Sequence, residues 1–267
     1  MITKTELQVY RKFTGKISWL AVNTRPDLAV TALMMSRKNS KATIKDLKKI
    51  NKVIEKIRAE PNRVEFSRTG DNEDLMIFGL TDASFKCDDK SVSGIILMLG
   101  DVKTKQAVPI FWKSKTIQKV CHSAKAAETR SMLRLLGLSQ YFAKQLEELM
   151  FGGYTKKIKI KLFTDSKPLL ESISSTHQIE ERLLRGSIKD MKDCLAGGSI
   201  TSFSWLDGER DMMADILTKE CRKNVNVENM VKNNLFYQAS NQDNLVECRN
   251  GEIKIFNKRN KLETVRV

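Results

Sequence analysis

Two carboxylates end apolar runs that have the composition of buried strands. Asp82 ends LMIFGLTD and shares one strand face with Leu80, and Asp165 follows IKIKLFT and shares a face with Phe163. A carboxylate at the edge of a core is costly unless a cation or a metal ion neutralises it. Both aspartates are therefore candidates for a metal site at the strand ends.

Two further carboxylates occupy apolar surroundings on predicted helices. Glu128 heads a stripe at helical spacing, and Asp215 is flanked by alanine and isoleucine. The stripe is continued by Met132, Leu135, Phe142, Leu146 and Leu149. The sequence thus offers four candidate acids in different elements.

Converging carboxylates suit hard divalent cations, because Mg²⁺ prefers carboxylate oxygens and water. Two such ions about 3.5 to 4 Å apart can activate a water molecule and stabilise the leaving oxygen in phosphodiester cleavage. That chemistry needs no histidine nucleophile, which fits a chain with only two histidines. Each acid also has a structural interpretation: Asp82 opens a turn, Asp165 caps a helix, Asp215 faces solvent, or Glu128 pairs with a cation. Spacing alone leaves both interpretations open.

The elements that must position these acids follow from periodicity. Residues 6–59 are predicted to form three helices, with Pro26 in the first turn of one. The pattern changes at Pro61, and a long helix then runs from Ser123 to about Met150. The predicted strands are VEFS, LMIFGLTD, VSGIILML, AVPIFW, IKIKLFT and SITSFSWL. A helix is predicted at DMMADILTK, and a hairpin is predicted at LVECRNGEIKIF with its turn at Asn250-Gly251. This order predicts an α/β domain. Its sheet is expected to be mixed, with parallel and antiparallel strands, as in α+β folds.

Charge indicates the class of partner. The chain has 267 residues with 47 Lys and Arg against 32 Asp and Glu, which gives a net charge of +15. Such an excess usually accompanies a polyanionic partner, most often nucleic acid, although solubility alone is the alternative. The basic residues are spread along the chain rather than gathered in a tail, so binding would involve a folded surface.

Cysteine usage and hydropathy indicate the compartment. The five cysteines stand singly without a C-x-x-C pair, which argues against structural zinc and favours reduced thiols in the cytosol or nucleus. The sequence has no run of about 18 uncharged apolar residues, so no membrane span is expected. The N-terminal stretch MITKTELQVYRKF is without the apolar core of a signal peptide, so secretion is not expected.

The segments around the four acids resemble the ribonuclease H domain of copia-type (Pseudoviridae) retrotransposon polyproteins. TDASFKCDDKSVSG is similar to that family's D-A-D/S-W and S-T-S-G segments, and WKSKTIQ to W-S-S-K-x-Q. Ser123 to Glu128 corresponds to S-S-T-E-A-E, FTDS to the strand-Asp-N/S segment, and Ala214 to Lys219 matches A-D-I-L-T-K at every residue. YRKFTGKISWLAVNTRPDLA resembles the segment between the polymerase palm and the ribonuclease H domain.

The resemblance implies a fold and a domain organisation. It implies a ribonuclease H-like fold with a five-stranded mixed sheet flanked by helices and preceded by a small helical segment. Residues 1–60 would resemble the thumb- or connection-like end of a reverse transcriptase, and residues 61–220 would form the ribonuclease H-like domain. Residues 221–267 would be a C-terminal extension without an assigned role.

The resemblance also implies an activity, namely hydrolysis of the RNA strand of RNA–DNA hybrids by two-metal-ion catalysis. The catalytic and metal-binding residues would be Asp82, Glu128, Asp165 and Asp215. The cofactor would be two Mg²⁺ ions, with Mn²⁺ as a substitute and no small-molecule cofactor. Contacts to the nucleic acid are expected from Ser84, Lys113, Lys115, Lys119, Ser123 and Ser166. Besides the hybrid, the expected partner is the polymerase portion of a reverse transcriptase, with no membrane, in the cytosol, nucleus or virus-like particles.

The sequence departs from the family pattern at several places. The polymerase palm with its Y-x-D-D loop is absent, so no polymerase active site is expected in this chain. Ala126 replaces the first glutamate of S-T-E-A-E, and Gly186 to Asp190 has no counterpart of the K-H-I-D-I histidine, so slower turnover is expected. These departures leave an alternative, a catalytically degenerate or domesticated nucleic-acid-binding module or a structural subunit of a reverse transcriptase.

Overall fold

The computed structural model describes residues 2–60, 64, 75–87, 90–101, 106–153, 155, 157–175, 177, 179–208, 212–220, 245–249, 252–256 and 262–266. The strands are β1 (Leu75–Cys87), β2 (Lys90–Asp101), β3 (Gln106–Thr116), β4 (Lys159–Thr164), β5 (Ser202–Trp205), β6 (Leu245–Arg249), β7 (Glu252–Phe256) and β8 (Leu262–Arg266). The α-helices are α1 (Lys4–Asn23), α2 (Ala29–Ser36), α3 (Ile44–Ala59), α4 (Ala124–Phe151), α5 (Lys167–Ser174) and α6 (Arg185–Ala196). Short 3₁₀ helices cover Pro26–Leu28, Arg182–Leu184 and Met213–Leu217.

One mixed sheet organises the chain, in the order β3-β2-β1-β4-β5-β6-β7-β8. β1, β2 and β3 pair antiparallel, whereas β4 runs parallel to both β1 and β5. These five strands are the mixed sheet that the resemblance implied. β6, β7 and β8 extend it antiparallel beyond β5, so the sheet is wider than expected.

Three of the strand predictions had different outcomes. The hairpin pairing at LVECRNGEIKIF is confirmed, since Cys248 of β6 pairs with Ile253 of β7, although its turn at 250–251 lies outside the described residues. The predicted strand VEFS also lies outside them, except for Val64. The strand predicted to end at Asp82 continues through Cys87, so Asp82 lies inside β1 rather than opening a turn.

One face of the sheet is covered by α4, α5 and α6. Ile77 and Leu162 of the sheet share a hydrophobic core with Met132 and Leu135 of α4. The Ser123 hydroxyl accepts a hydrogen bond of 3.0 Å from the Ala126 amide at the start of α4. The helix ends at Gly152, whose φ of 71° is the left-handed conformation that a residue without Cβ adopts readily. The buried stripe is shorter than predicted, because Leu149 is 83% exposed in the last turn.

The opposite face is covered by the predicted N-terminal helices. Their buried residues form a second core with Met76, Phe78 and Leu80 of β1, as strand alternation requires. The indole Nε1 of Trp112 donates a hydrogen bond of 2.6 Å to the Ala21 carbonyl, and the Trp112 side chain is buried in this core. Arg37 Nη2 donates a hydrogen bond of 2.8 Å to the Thr116 hydroxyl. Residues 2–60 therefore form a packed third layer.

Capping boxes define two of these helices. Thr3 and Glu6 exchange side-chain-to-backbone hydrogen bonds at the start of α1. At the start of α3, the amide and the hydroxyl of Thr43 both donate to the Asp46 carboxylate, at 2.9 and 2.6 Å. No described helix is long and apolar enough to cross a membrane.

The segment after β5 differs from the prediction. DMMADILTK was expected to be a helix, but only the short 3₁₀ helix Met213–Leu217 forms among its described residues. This segment packs directly on β2 at Gly94, where a Cβ atom would lie 2.7 Å from Leu217 Cβ and 2.8 Å from the Ala214 carbonyl oxygen. The glycine is thus needed for the close approach of this segment to the sheet.

Candidate metal centre

Asp82 and Asp165 lie side by side on neighbouring parallel strands. Leu80 of β1 pairs with Phe163 of β4, and each aspartate comes two residues later. The two carboxylates therefore leave the sheet on the same face and at the same level. Asp82 is buried, whereas Asp165 is partly exposed at the strand end.

Glu128 reaches this point from α4, on the other face of the sheet. Its Oε1 accepts a hydrogen bond of 3.0 Å from the Ala83 amide, which lies directly after Asp82 in β1. The donor is a backbone amide and not the side chain of a lysine or arginine, so this bond is not the cation pairing that the structural interpretation of Glu128 required. The long helix and the first strand jointly fix this carboxylate.

Three of the predicted acids converge. One carboxylate oxygen from each of Asp82, Glu128 and Asp165 lies within 4.8 Å of the others. Such spacing lets several oxygens reach a single cation, since Mg²⁺–oxygen distances are about 2.1 Å. Asp165 is not a helix cap, because Ser166 occupies that position at the start of α5 without a side-chain bond to the helix.

The fourth predicted acid, Asp215, lies beside this group but not within it. It is only 2% exposed, so it does not face solvent as its structural interpretation required. Its Oδ1 accepts a hydrogen bond from Nζ of Lys219, which also lies 4.0 Å from Asp82 Oδ2. The hydroxyl of Thr218 donates to the same Oδ2 of Asp82. Asp215 is thus linked to Asp82 through Lys219.

Burial and mutual repulsion make the three carboxylates weaker acids. Loss of solvent raises the pKa of Glu128 well above its usual range, and the charges of Asp82 and Asp165 act in the same direction. Burial, with the charge of Asp82, raises the pKa of Asp165 to about 6. Burial also raises the pKa of Asp82, although the charge of Lys219 and the hydrogen bond from Thr218 oppose it. A divalent cation would relieve this repulsion.

The donor atoms fit a hard divalent cation. Glu128 Oε2 is buried and has no hydrogen-bond partner in the part of the chain that the structure describes, so it is available as a ligand. All the converging donors are carboxylate oxygens, which suit Mg²⁺ or Mn²⁺. Gly208 leaves room for Asp165, because a Cβ atom there would lie 2.8 Å from Asp165 Oδ2.

Two of the predicted nucleic-acid contacts adjoin the acids in the chain, and the others lie at the start of α4 and on or after β3. Ser84 follows Asp82 on the same strand, and Ser166 follows Asp165 directly. Ser123 caps α4, and its hydroxyl also lies 3.3 Å from Glu181 Oε2. Three lysines are exposed on or just after β3, namely Lys113, Lys115 and Lys119. Their roles as nucleic-acid contacts stay predictions.

Several residues of the centre were not assigned a role from sequence. Thr218 and Lys219 stand in the matched A-D-I-L-T-K segment, and the four-residue spacing of Asp215 and Lys219 is a signal for an ion pair. Trp205 Nε1 donates a hydrogen bond of 3.0 Å to the Asp165 carbonyl, which holds the end of β4. The roles of Gly94 and Gly208 could not be predicted from the sequence, because they depend on contacts between distant segments.

Comparison with known proteins shows which proteins the chain is similar to. No protein-family model matches it. Over 146 residues it is 29% identical to a retrovirus-related Pol polyprotein from transposon RE1 of Arabidopsis thaliana, a match that covers 54% of this chain. This chain is similar in sequence to a retrotransposon Pol polyprotein. It spans 10% of the length of that protein, and the mixed sheet of β1 to β5, with α4 across one face, agrees with the predicted fold class. The predicted resemblance to a retrotransposon Pol polyprotein and the predicted mixed sheet of five strands are confirmed.

Two solved structures give more distant likenesses. The ribonuclease H1 of the halophilic archaeon Halobacterium salinarum NRC-1 is 16% identical, with a TM-score of 0.42, and the match covers 54% of this chain and 94% of that chain. LC11-RNase H1, solved in complex with an RNA/DNA hybrid, is 14% identical, with a TM-score of 0.36, and the match covers 54% of this chain and 93% of that chain.

Proposed function

We propose that this Pol-related chain is a divalent-cation-dependent endoribonuclease that cuts the RNA strand of RNA–DNA hybrids. The observation that carries the proposal is the approach of Asp82, Glu128 and Asp165 to within 4.8 Å at the end of parallel strands. Buried carboxylates this close repel one another, which disfavours the arrangement unless cations offset the repulsion. Their energetic cost is explained if they hold metal ions.

The chain's own residues have distinct roles in this proposal. Asp82, Glu128 and Asp165 would hold Mg²⁺ or Mn²⁺ through their oxygens. Asp215, which is linked to Asp82 through Lys219, would complete the set of acids. The bound cations would supply an activated water molecule and charge stabilisation of the leaving 3′ oxygen. Thr218 and Trp205 would keep Asp82 and the Asp165 backbone in place through their hydrogen bonds.

Charge and composition support the nucleic-acid partner. The net charge of +15 favours a polyanion, and the exposed lysines Lys113, Lys115 and Lys119 could hold phosphates of the DNA strand. Ser84, Ser123 and Ser166 could contact 2′-hydroxyls or phosphates, which would give recognition of the hybrid by shape rather than by sequence.

The similarity to a Pol polyprotein supports a wider context for this proposal. We propose that the chain belongs to the reverse transcriptase of a copia-type element, with residues 1–60 as the part that adjoins a polymerase and residues 61–220 as the nuclease. Residues 221–267 are without an assigned role, although three of their segments add β6, β7 and β8 to the sheet. Among the described cysteines, Cys121 and Cys194 are free thiols, which suits the cytosol, the nucleus or virus-like particles.

The test uses two glutamates of one helix. Glu128→Gln and Glu148→Gln make the same chemical change on α4, and the two positions are about 30 Å apart at 1.5 Å per residue. With a labelled RNA–DNA hybrid and Mg²⁺ or Mn²⁺, we expect Glu128→Gln to reduce cleavage by about 100-fold or more, because it removes a metal ligand. Glu148→Gln should cleave as the wild type does.

The same assay separates the nuclease from the binding-module alternative. Hybrid binding is measured in parallel by fluorescence anisotropy with Ca²⁺ in place of Mg²⁺. Binding without cleavage in either Mg²⁺ or Mn²⁺ would favour the degenerate or domesticated module. Cleavage by Glu128→Gln at the wild-type rate would show that the carboxylate centre does not carry out the reaction.

A further inference from the structure

Lys219 brings a positive charge into the group of acids. Its Nζ donates to Asp215 Oδ1 and lies 4.0 Å from Asp82 Oδ2, so the ammonium lies between two carboxylates. The backbone supports this position, since the Lys219 amide donates a hydrogen bond of 3.0 Å to the Asp215 carbonyl. Residues Asp82 and Asp215 are almost fully buried, whereas the side chain of Lys219 is 40% exposed.

We propose that Lys219 is a built-in counter-ion that competes with the divalent cation for the Asp82–Asp215 side of the centre. The proposal rests on the metal-binding role of these acids in the proposed function. Without a metal ion, the ammonium neutralises part of the clustered charge. When a cation binds there, the ammonium moves outward, so Lys219 sets the Mg²⁺ concentration at which the site fills.

The reach of its charge supports this role. The positive charge of Lys219 favours the ionised forms of Asp82, Glu128 and Asp165, so its influence extends over the whole three-acid group. A divalent cation among these oxygens would repel the ammonium, because both need the same negative charge. Occupancy by one therefore weakens binding of the other, and the coupling is reciprocal.

The side chain can also leave without disrupting the fold. Lysine has a flexible four-carbon stem and a strongly hydrated ammonium, so a partly exposed lysine can turn into water. Its neighbour Thr218 is fully buried and holds Asp82 with a neutral hydroxyl. Of these two adjacent residues, Thr218 fixes the carboxylate and Lys219 supplies a removable charge.

The experiment measures metal binding in the full chain without nucleic acid. Mg²⁺ and Mn²⁺ are titrated by calorimetry, and the thermal midpoint is recorded in EDTA and in Mg²⁺. Lys219→Met should bind Mg²⁺ about fivefold more tightly or better, as expected for removal of a coupled competitor. In EDTA its midpoint should fall, because the clustered carboxylates lose their counter-ion. Lys144→Met, an exposed lysine of α4, should match the wild type in both measurements.

Two further variants complete the test. Lys219→Arg keeps the charge and should bind Mg²⁺ no more tightly than the wild type, which tests the idea even if Lys219→Met does not fold. Mg²⁺ binding by Lys219→Met that equals or falls below that of the wild type would overturn the counter-ion role, as would tighter binding by Lys219→Arg. Asp82→Asn separates the two proposals: if it binds Mg²⁺ as the wild type does, the metal centre itself is wrong.

Discussion

The acids of this chain are held in two different ways. Asp82, Glu128 and Asp165 lie on or next to regular elements, and strand register and one backbone hydrogen bond fix their positions. Asp215 lies on a short 3₁₀ helix whose place depends on Gly94 and on an ion pair with Lys219. The first three form a framework that the sheet determines, whereas the fourth depends on tertiary contacts.

Those tertiary contacts include the N-terminal helices. Met213, Ile216 and Leu217 of the 3₁₀ segment belong to the same hydrophobic core as the buried residues of α1, α2 and α3. Lys49 of α3 also pairs with Glu220 at 2.7 Å. A segment that was predicted to adjoin a polymerase thus supports the part of the fold that carries Asp215.

The largest expected effect compares one acid from each group. Asp165→Asn should lower the rate of hybrid cleavage by about 100-fold or more, because it removes an oxygen ligand from the three-acid group. Asp215→Asn should lower it by about 10-fold, because Asp215 is linked to the group through Lys219. Single-turnover cleavage in Mg²⁺ measures both, and equal losses would mean that the two groups act as one set.

A second comparison tests the packing at Gly94. Gly94→Ala should lower the free energy of unfolding by about 1 to 3 kcal/mol, because the new Cβ would overlap Leu217 and Ala214. Gly137→Ala is the control, since a Cβ at that α4 position meets nothing within 4 Å and should raise stability by about 0.5 to 1 kcal/mol. Urea denaturation measures both changes. An unchanged stability of Gly94→Ala would show that the 3₁₀ segment can move away at little cost.

The last comparison concerns pH. The raised pKa of Asp165, about 6, means that the folded state holds its proton more tightly than the unfolded state, whose pKa is near 3.8. Its stabilising contribution is complete below the unfolded pKa and is lost as pH rises through about 6. In EDTA, the stability of Asp165→Asn relative to the wild type should therefore increase between about pH 4 and pH 6. A constant difference across this range would contradict the raised pKa.

The sequence was informative where local patterns determine position. Alternation along two apolar strands placed Asp82 and Asp165 on matching faces, and helical spacing placed Glu128 on the buried side of α4. The 3₁₀ segment was mistaken for a longer helix because its apolar residues face a tertiary contact at Gly94 rather than a helical stripe. The packing of α1, α2 and α3 on the sheet could not be read from local pattern either, since it joins segments far apart in the chain.

The third layer has a consequence for how this protein can vary. The Trp112 indole donates a hydrogen bond to a backbone carbonyl of α1, and Arg37, directly after α2, donates one to Thr116 at the end of β3. Loss of the first bond takes the acceptor from a buried indole N–H, and loss of the second breaks a partly buried hydrogen bond. A substitution in one segment therefore favours a compensating change in the other. Residues 2–60 and the sheet are therefore expected to be inherited as one unit, with exchanges between related elements tolerated only when both segments travel together.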